Sequence, residues 1–74
     1  VKIHPNPFSS IFHIASESEI LALTIVDING KLLMRQNEFQ SSEISIDETT
    51  LPIGVYFLKV WTRKGLSHFK LLKR

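Results

Sequence analysis

The residues of this chain best suited to metal or acid-base chemistry are three histidines, His4, His13 and His68. None of them shares a His-x-x-x-His spacing with another, and the chain contains no cysteine. A protein zinc site needs three or four converging ligands, usually drawn from histidine, cysteine and carboxylates. We therefore interpret the three as ordinary strand histidines and predict neither a metal site nor a cofactor.

A hydrolytic triad can be drawn from Ser67 and His68 with either Asp27 or Asp47. Nothing around Ser67 resembles a nucleophile elbow or an oxyanion-hole motif. A chain of 74 residues also offers little room for a substrate cleft. The three glycines are scattered and form no phosphate-binding loop. The sequence thus predicts a protein that is not an enzyme.

A third candidate is a basic aromatic platform, in which Phe57 and Trp61 lie beside Lys59 and Arg63. Such a platform stacks the bases of single-stranded nucleic acid or the rings of a glycan. The same residues on a central strand are more simply core and rim. We favour that interpretation and predict no nucleic-acid partner, with Trp61 as the best candidate for an exposed apolar contact.

Length and charge limit what the chain can be. Its 74 residues make one domain of marginal stability with no disulfide, so the 43% of residues that are hydrophobic must supply the core alone or with help from a fused neighbour. No apolar run is long enough to span a membrane as a helix. The chain starts at Val1 without a secretory leader, so we expect a piece of a longer precursor.

The charges are distributed unevenly along the chain. Residues 1–48 hold all seven acidic residues and three basic ones, whereas residues 49–74 hold six basic residues and no acidic one. A basic end can steer a protein toward acidic partners. Composition alone favours a simpler role, in which lysines provide solubility and protect sheet edges.

The hydrophobic pattern alternates in short segments and shows no helical period, so it predicts about seven strands in an antiparallel sandwich. The predicted strands cover residues 1–4, 11–15, 20–28, 31–35, 42–47, 55–61 and 67–72, with loops at residues 16–19, 36–43 and 47–50. Asn29-Gly30 between two apolar runs predicts a type I′ hairpin turn. A second short hairpin loop is predicted at residues 63–65, where Gly65 can adopt a left-handed conformation.

Residues 51–61 form the segment around which the others should pack. Pro52 and Gly54 predict a type I turn at residues 51–54. The run at residues 55–61 is largely apolar on both alternating sets, broken only by Lys59, which predicts a central strand covered on much of both faces. A leucine, a turn and then Tyr56 resemble a tyrosine corner, in which the hydroxyl bonds to upstream backbone.

The order of these motifs resembles the type A C-terminal sorting domain of the type IX secretion system over essentially the whole chain. The matching motifs are the first strand followed by Pro5-Asn6-Pro7, the segment from Ile25 to Lys31, the stretch from Leu51 to Tyr56, and the closing strand that ends in Lys70-Leu71-Leu72-Lys73-Arg74. The resemblance implies an Ig-like sandwich of about seven strands that acts as an export signal at the C-terminus of a secreted cargo protein.

The resemblance also implies partners and locations. The precursor would cross the periplasm, an outer-membrane translocon would recognise the domain, and a sortase-like peptidase would remove it, leaving the cargo at the cell surface or secreted. The implied recognition residues are Pro5, Pro7, Gly54, Tyr56, Lys70 and Lys73, and the implied structural turn residues are Asn29, Gly30, Pro52 and Gly65. If the last strand is a sheet edge, it could dock by strand addition to an acidic receptor surface. The alternative is an Ig-like or fibronectin-like accessory module that binds glycan or acts as a spacer.

Overall fold

The computed structural model describes residues 1–48 and 50–74, with all side chains except those of residues 38–40. The strands are β1 (Lys2–His4), β2 (Ile11–Asp27), β3 (Leu32–Asp47), β4 (Gly54–Thr62) and β5 (Gly65–Lys73). The described residues contain no helix. The prediction of an all-β fold in a single small domain is therefore confirmed.

The long strand β2 organises the sheet, and every strand pairing in the sheet is antiparallel. β3 pairs with β2 along almost its whole length. On its other side, β2 pairs first with β1, at residues 13–15, and later with β4, at residues 20–27. β4 in turn pairs with β5. Since β1 and β4 share one side of β2, the sheet has two halves joined by the β2–β3 hairpin.

Both halves of the sheet enclose one hydrophobic core, as expected for an Ig-like sandwich. Phe12, Ile14 and Ile46 come from the half that contains β1, whereas Leu58, Val60 and Leu71 come from β4 and β5. The other buried apolar residues are Phe8, Ile20, Leu23, Ile25 and Tyr56. A sheet whose two ends bury their side chains in one cluster must be folded over on itself.

The described residues form five strands rather than about seven, because two pairs of predicted strands are continuous. The predicted loop at residues 16–19 lies within β2, and the whole loop predicted at residues 36–43 lies within β3. The β2–β3 register shifts between Ala15 and Ile20, where the hairpin passes from one half to the other. Local bonds accompany this bend, since the Ser16 hydroxyl accepts from the Ser18 N–H at 3.2 Å. Polar residues here therefore mark a bend rather than a chain reversal.

The hairpin at Asn29-Gly30 is confirmed, but its turn type is not I′. The Gly30 N–H donates to the Asp27 carbonyl at 3.0 Å, and the Asp27 N–H donates to the Lys31 carbonyl at 3.1 Å. Gly30 has a φ of 83°. This pattern is a three-residue loop with a G1 bulge, which places glycine in the left-handed position. The Asp27 carboxylate fixes the loop by accepting from the N–H groups of Asn29 and Lys31, both at 2.9 Å.

The turns that flank β4 differ in how well they follow prediction. Thr62 pairs with Gly65, so Arg63 and Lys64 form a tight hairpin loop, as predicted. No backbone hydrogen bond between described residues closes the type I turn predicted at residues 51–54; the bond found nearby runs from the Leu51 N–H to the Glu48 carbonyl at 3.3 Å. Thr49, within the loop predicted at residues 47–50, lies outside the described residues.

β4 is covered on one face only, so the prediction that it is covered on much of both faces is wrong. Tyr56, Leu58 and Val60 point into the core and are at most 6% exposed. Phe57 on the opposite face is 41% exposed, and Lys59 is also exposed. No second layer of the described residues covers this face, although its side chains are largely apolar.

The loop after β3 contains one carboxyl group with a shifted pKa. Burial, and then the charge of Asp47, raise the pKa of Glu48. The Glu48 carboxyl therefore binds its proton more tightly in the folded protein than in the unfolded chain. As a result, the stability of the fold decreases as the pH rises through the raised pKa. We expect Glu48→Gln to raise Tm slightly at pH 7. The gain should vanish below about pH 4, where glutamate is largely protonated in both states.

Thermal unfolding at several pH values checks this prediction. Glu43→Gln makes the same charge change at an exposed position and is the matched control. A gain for Glu48→Gln that is constant across pH, or equal to that of the control, would contradict the assignment.

Candidate functional site

Tyr56 forms the tyrosine corner that the sequence predicts. Its hydroxyl donates to the carbonyl of Pro52 at 2.5 Å, and its ring belongs to the core with 6% exposure. The bond ties the start of β4 to the segment that precedes it. The corner therefore fixes the path by which the chain enters the strand next to β5.

We expect Tyr56→Phe to lower the free energy of unfolding by on the order of 1 kcal/mol, because the Pro52 carbonyl loses its donor while the ring still fills the core. Urea unfolding of the variant and the wild type measures the difference. Equal midpoints and equal slopes for the two proteins would show that the hydroxyl adds nothing.

The outer edge of β5 is covered by the segment that follows β1. The Asn6 side-chain amide donates to the Lys70 carbonyl at 2.8 Å, and its oxygen accepts from the Leu72 N–H at 3.0 Å. The Phe8 backbone continues the pattern, since its N–H donates to the Leu72 carbonyl and its carbonyl accepts from the Arg74 N–H, both at 2.8 Å. We call Asn6 and Phe8 the N-terminal clamp.

The side chain of Phe8 anchors this clamp in the core. It is 1% exposed and packs edge-on against Phe12, with the ring centroids 4.9 Å apart. The ammonium of Lys73 lies 5.9 Å from the centroid of the Phe8 ring, and Lys73 is only 7% exposed. Burial and hydrogen bonding thus join the two ends of the described chain.

The clamp limits strand addition at β5. It occupies outward-facing backbone groups of Lys70, Leu72 and Arg74. Alternation along the strand leaves only Leu66 and His68 with outward-facing groups outside the clamp. A partner that adds a strand along the last five residues would first have to displace residues of this same chain.

The histidines are not arranged as a metal site. The rings of His4 and His13 lie 5.4 Å apart on paired strands, and the Nδ1 of His13 is 2.7 Å from the Ser45 hydroxyl. The described residues contain no group of three or more histidine, cysteine or acidic residues placed to bind a metal ion. His68 lies on β5, far from the other two in the strand order.

The candidate hydrolytic triad of Ser67, His68 and an aspartate is not assembled either. Ser67 and His68 are neighbours on β5, so their side chains point to opposite faces of the sheet. Ser67 lies opposite Val60, whereas Asp27 lies opposite Tyr56, four residues earlier in β4. That offset corresponds to about 13 Å along the strand.

Comparison with known protein families gives a match over residues 2–74, to the family described as secretion system C-terminal sorting domain. The chain belongs to this family. The resemblance to type IX sorting domains seen in the sequence is therefore confirmed. A comparison with curated proteins finds no match.

Membership of the sorting-domain family gives the chain the role of a secretion signal, and the domains of this family are non-catalytic tails. It implies association with the secretion machinery and with an N-terminal cargo, and export to the outer membrane, the cell surface or the medium. No helix among the described residues is long and apolar enough to cross a membrane.

The structure separates the predicted recognition residues of this sorting domain into two groups. Gly54, Tyr56 and Lys73 are partly or fully buried, and Pro7 is half-buried beside the clamp. Pro5 and Lys70 are exposed. The predicted turn residues lie in loops or at strand ends: Asn29, Gly30, Pro52 and Gly65. Recognition by all six residues stays a prediction, and the geometry of each is now defined.

The sequence motifs predict no structural role for Asn6, Phe8 or Asp27, although each fixes the fold of the sorting domain. Asn6 lies between two prolines, neither of which can donate a backbone hydrogen bond. An asparagine between two prolines can still donate from its side-chain amide to the edge of a neighbouring strand, as Asn6 does to β5. The Pro-Asn-Pro sequence was therefore a signal from which this contact could have been predicted. Asp27 precedes the turn by two residues, a position from which aspartate often caps loops.

Proposed function

We propose that this domain is the removable export signal of a larger precursor. In this proposal, the precursor reaches the periplasm, the outer-membrane translocon of the type IX system recognises the folded domain, and a sortase-like peptidase separates it from its N-terminal cargo. The domain itself performs no catalysis. The observation that carries the proposal is the family match over residues 2–74 on a compact all-β fold.

We propose that the recognition residues act in two ways. Pro5, Pro7, Gly54, Tyr56 and Lys73 shape the fold that the translocon binds. Lys70 acts directly, because its side chain is exposed and no carboxylate of the described residues forms an ion pair with it.

The test joins residues 1–74 to the C-terminus of a reporter that has its own periplasmic leader. In cells with the type IX translocon, the reporter with the domain should reach the surface or the medium, and the reporter alone should stay in the periplasm. Cells that lack the translocon should retain both. A reporter found in the same compartment with and without the domain would overturn the proposal.

An accessory module that binds glycan is the second candidate, favoured by the exposed Phe57 beside the half-buried Trp61 and Lys59. The two functions differ in the mass of the exported product. If the signal is removed, the exported product is lighter than the encoded precursor by about the 8.5 kDa of this domain. If the domain is an accessory module, it is retained in the product.

A further inference from the structure

One face of the sheet formed by β4, β5 and the adjoining parts of β2 and β3 is apolar but uncovered by the described residues. We call it the outer face and define it by Phe57, Lys59, Trp61, Lys70, Leu72 and Arg35. Strand register places these residues together, since Phe57 lies opposite Lys70, and Lys59 lies opposite both Thr24 and His68. Thr24 in turn lies opposite Arg35 on β3.

The outer face, together with Leu66 and Leu32 beside it, exposes several large apolar side chains. Phe57 is 41% exposed, Leu66 44%, Leu72 38% and Leu32 51%. Register places Leu32 next to Val26, and Val26 next to Phe57, so these side chains form a continuous row. A contiguous exposed apolar patch on a small domain marks an interaction site more often than chance.

The charge on the outer face has one sign. Arg35, Lys59 and Lys70 are all exposed, and no carboxylate of the described residues is within ion-pair distance of them. The described ion pairs lie at the β4–β5 hairpin loop instead, between Arg63 and Glu19 at 3.0 Å and between Lys64 and Glu17 at 3.7 Å. The outer face is therefore an apolar surface that carries unpaired positive charge.

The size of the outer face fits a transient protein partner. Four strands about 4.8 Å apart, each extending some 25–30 Å, present an area on the order of 500 Å². With an equal area from a partner, the interface lies at the low end of specific complexes, where transient encounters occur. The mixed aromatic, aliphatic and arginine composition is also that of protein interfaces.

We infer that the outer face is the docking surface of this domain for an acidic protein surface with an apolar centre. The inference rests on the proposed function and names the surface that the secretion machinery would contact. Apolar contacts to Phe57 and Leu72 hold the partner, and carboxylates of the partner pair with Lys59, Lys70 and Arg35. A partner that docks on the outer face also does not have to displace the N-terminal clamp from β5.

The test is export of the reporter fusion with two charge-reversal variants. Lys59→Glu with Lys70→Glu reverses charge on the outer face, and Lys2→Glu with Lys31→Glu makes the same change at exposed positions elsewhere. We expect the first pair to slow export about tenfold or more, because charge steering changes association rates by that factor. The second pair should export as the wild type does.

A matched apolar pair completes the test, with Phe57→Ser on the outer face and Ile53→Ser at a loop residue that is 80% exposed. Only the first should reduce export. Urea midpoints of all the fusions separate lost docking from lost folding. Wild-type export with unaffected export of both outer-face variants overturns the inference and the direct role of Lys70, but it leaves the proposed role as an export signal intact. Failure of the wild-type domain to export the reporter overturns both.

The chemical class of the partner is tested by a photo-crosslinking residue at position 57 in the exporting cells. A protease-sensitive adduct of discrete mass, lost when Lys59→Glu and Lys70→Glu are added, supports an acidic protein, and peptide mapping should place carboxylates beside the crosslink. A protease-resistant, heterogeneous adduct would instead identify an anionic glycolipid or polysaccharide and overturn the inference.

Discussion

Phe8→Ala is expected to bring the domain close to unfolding. The ring is 1% exposed, packs against Phe12 at 4.9 Å and lies beneath the Lys73 ammonium. Truncating a fully buried phenylalanine costs about 3–5 kcal/mol, through lost burial and the cavity left behind. A 74-residue domain has about 4–11 kcal/mol of stability in total. Thermal unfolding followed by far-UV circular dichroism measures the loss.

The matched control is Phe57→Ala, which makes the same truncation on the outer face where the ring is 41% exposed. We expect this change to cost less than about 1 kcal/mol, since much of the ring is already in water. Similar losses for the two variants would show that residue 8 is not part of the core, and would remove the basis for the anchored clamp.

The all-β fold was predictable because local alternation reports which side chains face the core. Phe12 and Ile14 in β2, Ile44 and Ile46 in β3, and Tyr56, Leu58 and Val60 in β4 all follow the period-two pattern of a strand. The tyrosine corner was predictable for a similar reason, since its partner Pro52 lies only four residues upstream of Tyr56.

The continuity of β2 and β3 was not predictable from local pattern. A polar segment such as residues 16–19 is expected in a loop and also in a strand that bends at a sheet corner. Composition therefore does not distinguish the two structures. The register shift between Ala15 and Ile20 decides the matter, and it depends on pairing with β3, more than twenty residues away in sequence.

The outer face shows why an apolar strand is ambiguous. Apart from Lys59, residues 55–61 are apolar on both alternating sets. That pattern is typical both of a strand buried between layers and of a strand with one face in the core and the other at an interface. Burial of Leu58 but exposure of Phe57 distinguishes these cases. That distinction depends on how many layers the whole chain forms, which residues 55–61 alone do not specify.

The N-terminal clamp was the part of the site least accessible to sequence reasoning. Asn6 bonds to residues 64 and 66 positions away, so no local spacing reports the contact. The Asn6 side chain hydrogen-bonds to the backbone at the edge of β5, because the prolines on both sides of Asn6 have no backbone N–H to donate. Edge strands that are covered in this way resist unwanted pairing with other chains.

Asn6→Ala is therefore expected to expose the β5 edge. The Lys70 carbonyl and the Leu72 N–H both lose their partner, and two net hydrogen bonds are worth about 1–3 kcal/mol. Native-state hydrogen exchange should show faster exchange at the Leu72 amide, with little change at the Leu71 amide, which faces β4. The urea midpoint should fall in parallel.

Asn37→Ala is the control, since this exposed asparagine makes no side-chain hydrogen bond within the described residues. Asn6→Asp is the graded variant, because a carboxylate still accepts from Leu72 but cannot donate to Lys70. We expect its stability to lie between those of the wild type and Asn6→Ala. If Asn6→Ala matched Asn37→Ala in both stability and exchange, water would serve the β5 edge as well as the amide does. Phe8 alone would then hold residues 5–8 against β5.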